Sequence, residues 1–493
     1  MTKHPPRAAR RPHQLTEHGD VRIDDYYWLR ERDNPEVRTY LDAENEYLRT
    51  ELSHTAVLQE RLYDEIKSRI KQTDMSVPYR DGAYRYYRRY EDGHEYPIYC
   101  RQLTDGAREH GREQVILDVN KLAAGHDYCD VGTLRVSHDM NVLAYAIDTV
   151  GRREYAICFR HLETDKEFDD VVRAVTANMV WAADNRTVFY VRHDPTTLRA
   201  YQVFRHELGA DVSEDVLVFE ERDETFSCAV GPSRSREFVF IASCQTMTTE
   251  YHYLDSSSPE DAFTVFLPRE RGHEYEVDHF SGWFYIKSND KARNFRLMKT
   301  DDHRIARKHW IEVVSHREDV LIEGFEIFRD YLVIEERRNG LAQIRVKPWR
   351  LADTENAGGE HEIAFDEPAY DAYIDINRNP DTTTLRFGYS SMTTPQSVYD
   401  YEMTTRQRTL LKQDEVLGDF DSDRYESIRL SATAADGMQI PISLVRRRDM
   451  NQEGPAPLLL YGYGSYGISM EPTFRSSRLS LLDRGFIFAI AHI

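Results

Sequence analysis

Cysteine is scarce: the 493 residues contain five, Cys100, Cys129, Cys158, Cys228 and Cys244, and no two form a C-x-x-C pair. So few and so scattered, they make a poor framework for disulfides or structural zinc and fit a reducing compartment. Long apolar runs are missing too, since nothing approaches the roughly 18 residues of a membrane helix. The basic opening MTKHPPRAARRPH has no apolar stretch behind it, so it reads as a solvated tail and not as a secretory signal. A cytoplasmic protein without membrane contact is the expectation. Positive charge is in deficit, with 64 Lys and Arg against 85 Asp and Glu, a net charge of −21. That balance argues against a nucleic-acid partner, which needs a basic face, and is compatible with cationic ligands. His273-Glu274 and His279 suggest a zinc motif but do not satisfy H-E-x-x-H, and neither metal nor cofactor is expected.

What is present falls into three segments. Residues 34–72 read as helix: Asn34-Pro35 is a cap followed by proline at the first helical position. Leu58, Leu62, Ile66 and Ile70 then form an apolar stripe that should pack on a larger body. Across residues 75–413, short aromatic and β-branched runs alternate with polar turns. Their centres are Tyr84–Tyr87, Leu143–Ala146, Val188–Val191, Phe238–Ile241, Trp283–Ile286, Tyr331–Ile334 and Leu385–Phe387. Most are followed by a second strand-like run, such as Glu154–Ile157 or Tyr201–Phe204. Seven runs repeating at roughly 45–60 residues predict a seven-bladed β-propeller. A pair of large β-sandwiches with accidental spacing is the alternative.

After residue 414 the pattern turns to strand and helix. Tyr425–Thr433 and Met438–Arg446 read as paired strands joined by Ala434-Ala435-Asp436-Gly437. The run at Leu458, a glycine loop, a helical stretch at Ser476–Leu482 and a strand at Phe486–Ala491 follow. This is the start of an α/β sheet, a class that needs on the order of 150–250 residues. About 80 residues follow the propeller, so the sequence reads as an incomplete α/β domain.

The glycine loop, Gly462-Tyr463-Gly464-Ser465-Tyr466-Gly467, matches G-x-G-x-x-G literally. A dinucleotide site would need a helix directly after it, yet Pro472 stands where that helix should be running. No acidic residue closes a second strand at the required distance. The other chemistry such a loop serves is an oxyanion hole, where glycines let the backbone turn sharply and let a carbonyl approach closely.

Several stretches together resemble the prolyl oligopeptidase family of serine peptidases and favour its oligopeptidase B branch. They include RIDDYYWLR (Arg22–Arg30), SVPYRDGAYRYYRRYEDGHEYPIYCR (Ser76–Arg101), GFEIFRDYLVIEERRNGL (Gly324–Leu341) and LLLYGYGSYG (Leu458–Gly467). The resemblance implies a seven-bladed propeller (75–413) capping an α/β-hydrolase domain that starts at 414, with residues 1–74 packed on the hydrolase. It implies cleavage of short peptides after Arg or Lys through an acyl-enzyme, with the propeller limiting substrate size. It also implies roles for three residues. Tyr463 matches an oxyanion-stabilising tyrosine. Tyr466 matches an aromatic flanking the primary specificity pocket. Glu471 matches an acid that favours a second basic residue, although Thr473 replaces the further acid some relatives carry. No G-x-S-x-G occurs, and Ser465 has Tyr463 where a nucleophile elbow needs glycine. The nucleophile, aspartate and histidine are expected beyond Ile493, and His492 is not expected to be the catalytic histidine. A hinge is expected where the chain passes between domains, at 72–76 and 412–416. The competing reading is a propeller that binds or scaffolds without catalysis.

Overall fold

A computed structural model describes residues 4–105, 108–109, 111–349, 359–450 and 454–493. In it each of the seven aromatic runs becomes a strand and takes the second place in an antiparallel group. These strands are Tyr84–Arg89, Val142–Asp148, Thr187–His193, Phe238–Gln245, Trp283–Ser288, Tyr331–Arg338 and Thr384–Ser391. The reason is burial. A second strand has a neighbour on each side, and most are buried on both faces, as in Val142–Asp148 where only Ile147 is not buried; Tyr84–Arg89, with three arginines and one buried residue, is the exception. The follow-on runs become third strands, among them Tyr155–His161 and Ala200–Glu207. The second and third groups share one long strand, Lys166–Trp181, and so form a continuous seven-stranded sheet. Its first half pairs with Tyr155–His161 and its second half with Thr187–His193, the two meeting at Val175 beside Ala174 at φ 56°.

Apolar clusters join consecutive groups. Val180, Phe189, Val191 and Val203 of the third pack on Cys228, Val230, Val239 and Ile241 of the fourth. Phe328, Val333, Ile344 and Val346 of the sixth pack on Tyr370, Leu385 and Phe387 of the seventh. Each such side chain contributes about 1.5–3 kcal/mol of burial. Between the seventh group and the first, the contacts given by the described residues are polar. Lys412 Nζ bonds Asp74 Oδ2 at 2.6 Å and the Met75 carbonyl at 2.9 Å, and Arg386 donates to the Pro78 carbonyl at 2.7 Å. Lys71 pairs with Glu415 at 2.9 Å, so the two chain passages at 72–76 and 412–416 lie side by side.

The last sheet orders its strands Tyr425–Thr433, Gln439–Arg447, Ile487–Ala491, Leu458–Gly462. The first two join at Asp436-Gly437, where Gly437 has φ 87° and Asp436 caps the Met438 amide at 3.0 Å. The last pair is parallel, Leu458 facing Ile487. Leu458–Gly462 is an edge strand exposed along its whole length. Met392 of the seventh group joins Tyr425, Val445, Leu479, Leu482 and Ile490 in one cluster, so this sheet and the groups before it share a core.

Residues Met1–Ile70 form a separate compact unit. It holds a hairpin (His13–Glu17, Asp20–Asp24), whose following segment buries Trp28, with Nε1 donating to the Ala9 carbonyl at 2.9 Å and Arg11 over the ring at 4.3 Å. The helix expected over 34–72 is two, Pro35–Glu51 and Ala56–Ser68, broken by a 3-10 turn at Ser53–Thr55. Asn34 caps the first as expected, its side chain accepting from the Glu36 amide. No residue of the second helix is fully buried, and of the predicted stripe Leu58 and Ile70 stay exposed.

Candidate functional site

The glycine loop leaves the parallel strand Leu458–Gly462 at its C-terminal end, the place where open α/β sheets hold ligands. No α-helix opens directly from it: Ser465–Gly467 makes a single 3-10 turn, closed by the Ile468 amide on the Ser465 carbonyl at 3.1 Å, and the short helix Leu479–Leu482 comes only later. Two features bend the loop. A Cβ at Gly464 would lie 3.1 Å from the Ile493 carbonyl oxygen, a tight contact that would ask Ile493 to give by a few tenths of an ångström. Tyr466 adopts φ 58° and ψ 24°, left-handed for a bulky residue, which costs on the order of 1–2 kcal/mol. Its ring is thereby carried outward and is 82% exposed. Tyr463, 38% exposed, stands between Gly462 and Gly464, the first two glycines of the loop. The loop thus presents two tyrosines to solvent from a strained turn, an arrangement in which a phenol can donate to an incoming oxyanion.

Glu471 lies five residues beyond Tyr466 and is engaged, not solvated. Arg337, on the strand Tyr331–Arg338, forks onto it, with Nη2–Oε1 at 2.5 Å and Nη1–Oε2 at 3.3 Å. The same guanidinium donates through Nε to Glu323 Oε1 at 2.7 Å. Phe474 adds a second tie, its amide donating to Ser390 Oγ at 3.0 Å. The Asp371 carboxyl, on Tyr370–Ile374, is pushed up to about 7, by burial first and then by the Glu471 charge. Burial also raises Glu335, whose Oε1 accepts from the Ile374 amide at 2.6 Å.

Serine–histidine contacts occur elsewhere, and burial removes them from consideration as nucleophiles. His492 Nε2 lies 2.7 Å from Ser443 Oγ, but Ser443 is 1% exposed in mid-sheet, where no substrate reaches it. Burial lowers the pKa of His492. Ser235 Oγ meets His279 Nδ1 at 2.8 Å, with Asp302 3.5 Å from the other nitrogen. His279 is fully buried, and Ser235 Oγ also accepts from the Glu237 amide, so this trio braces a turn. Ser465 contacts neither histidine nor carboxylate in any bond seen among the described residues. The same residues contain no cluster of His, Cys, Asp and Glu suited to a metal ion, and the five cysteines are free.

Arg337 is the residue that sequence reading missed. A signal existed: Glu335-Glu336-Arg337-Arg338 ends a strand, and period-two alternation sends Glu335 and Arg337 to one face and Glu336 and Arg338 to the other. Glu336 does pair elsewhere, with Arg345 Nη2 at 2.5 Å, and Arg338 with Glu362 at 3.0 Å. Which carboxylate Arg337 meets depends on a loop 134 residues away.

Residues 6–414 match the family described as "Prolyl oligopeptidase, N-terminal beta-propeller domain". The chain is 42% identical to dipeptidyl aminopeptidase BI of Pseudoxanthomonas mexicana, over 99% of its own length and 69% of that protein's. It is 34% identical to protease 2 of Moraxella lacunata, over 99% of its own length and 70% of that protein's. Among solved structures, oligopeptidase B from Leishmania major superposes with a TM-score of 0.93 at 34% identity, covering all of this chain and 72% of that one.

Proposed function

Since this chain belongs to the prolyl oligopeptidase family of peptidases, we propose that it serves a serine peptidase that cleaves short peptides after Arg or Lys. Its antiparallel groups are the blades of the family's β-propeller. In this reading they form seven blades that restrict access to small substrates, and the sheet from Tyr425 onward is the opening of an α/β-hydrolase domain. Attack by a serine gives a tetrahedral intermediate and then an acyl-enzyme. Tyr463 donates its phenolic hydrogen to the oxyanion, Tyr466 flanks the stem of the basic side chain, and Glu471 faces the residue before it. The observation that carries the reading is the loop: Tyr463 and Tyr466 leave the C-terminal end of a parallel strand on a turn from which no helix opens directly. That supports an oxyanion role and speaks against a phosphate cradle.

The likeness to dipeptidyl aminopeptidase BI brings a second reading, release of dipeptides from a free N-terminus. Acetylating the substrate distinguishes the two: an oligopeptidase keeps cleaving the blocked peptide and a dipeptidyl aminopeptidase stops. Tyr463→Phe tests the oxyanion assignment. Loss of one such donor lowers kcat by about 10²–10³-fold and moves KM little. An unchanged kcat for Tyr463→Phe on an arginine peptide rules Tyr463 out.

A further inference from the structure

Glu471 already has an arginine. Arg337 reaches it with both terminal nitrogens, in the fork geometry by which a guanidinium holds a carboxylate. The pair is largely shielded, with side-chain exposures of 17% and 26%. Arg337 is also fixed from behind by Glu323, so it cannot leave Glu471 without abandoning a second carboxylate. The site around Glu471 is therefore closed at rest by a side chain of the protein with the chemistry of a basic substrate residue.

We infer that Arg337 is a specificity-determining residue that occupies Glu471 in place of a substrate's second basic side chain. The inference rests on the assignment of Glu471 to substrate binding made above. Its consequence follows from counting charges. Within the trio Glu323–Arg337–Glu471 two carboxylates share one guanidinium, so an incoming cation meets a Glu471 already forked onto a positive charge. To bind Glu471 directly, that cation must displace Arg337 and leave a shielded charge with one partner fewer, which removes most of the gain. A second basic residue is tolerated and not selected. Thr473, where an acid would add to the attraction, acts in the same direction. Removing Arg337 frees both carboxylates for one ligand and turns the site into one that selects a basic pair.

The test uses the full chain and two tripeptide amides, Ala-Arg-Arg-NH2 and Ala-Ala-Arg-NH2, with affinities from isothermal titration calorimetry at low ionic strength. In the wild type the two affinities lie within about threefold of each other. Arg337→Gln raises the preference for the basic pair to about tenfold or more. Adding Glu471→Gln to that variant takes the preference away again. A strut that merely joined two parts of the fold would move the melting temperature and leave the affinity ratio alone. If Glu471→Gln lowers the affinity for the basic pair but Arg337→Gln leaves the ratio unchanged, the screening role is overturned and the binding role of Glu471 stands. If neither substitution alters either affinity, or neither peptide binds, the assignment of Glu471 falls and this inference with it. Should Arg337→Gln fail to fold, Arg337→Met decides: it keeps the apolar stem without the charge, and an unchanged ratio there overturns the inference.

Discussion

At the scale of single residues, the acids around Arg337 carry a pH dependence whose sign can be worked out. Asp371 has an ordinary value of 3.8 and is held at about 7 in the folded chain, chiefly by burial and then by Glu471. The folded state therefore keeps a proton that the unfolded state releases. Stability from this group falls as pH rises from about 4 through about 7, the reverse of a salt-bridged carboxylate. Asp371→Asn removes the ionisation. Its stability relative to wild type should grow between pH 5 and pH 8, by on the order of 1–2 kcal/mol once partial exposure is discounted. Paired melts across that range check it, and a difference that stays constant with pH defeats it. The same neighbourhood shows how far a sequence can be read. The shape of the glycine loop was legible because turn chemistry is local: glycine spacing and Pro472 already excluded a helix opening directly from it. The partner of Glu471 was not, because an ion pair across 134 residues is set by tertiary packing.

At the scale of elements, the middle strand of each group was readable and its flanks were not. Val142–Asp148 and Thr187–His193 announce themselves because both faces are buried. Outer strands such as Val216–Glu220 are short and exposed at several positions, and a brief apolar run of that kind does not by itself mark a place in a blade. The break at Leu52 escaped notice because helical periodicity resumes after a single turn. Gly388 shows a constraint inside one of the readable strands. It lies directly across from Tyr373, and a Cβ there would sit 2.3 Å from the tyrosine ring. The ring covers the glycine, and neither can change alone. Gly388→Val should cost about 1–3 kcal/mol by overpacking, measured by urea unfolding. Combining it with Tyr373→Ala should cost less than the sum of the two single changes, because the clash is relieved. Strict additivity would show that the pair is not coupled.

At the scale of the whole molecule, the seams between blades differ in kind. The seam between the third and fourth blades buries valines, an isoleucine and a phenylalanine, whereas the seam between the last blade and the first is drawn together by Lys412, Asp74 and Arg386. Apolar seams resist opening in proportion to buried area. A polar seam with side chains 23% and 36% exposed holds by roughly 1 kcal/mol per ion pair and weakens with salt. Local opening should therefore concentrate where the chain passes between the propeller and the last sheet, close to Lys71–Glu415. Hydrogen exchange read by mass spectrometry can follow two amides there: Tyr90, bonded to the Asp74 carbonyl, and Asp414, bonded to the Gln396 carbonyl. Lys412→Ala should speed exchange at both by roughly fivefold. Amides under the apolar seams should not change. Equal acceleration at all seams would mean that the blades open together and that Lys412 guards no particular passage. Acceleration confined to these two would place the weakest seam between the last blade and the first, beside the Lys71–Glu415 pair.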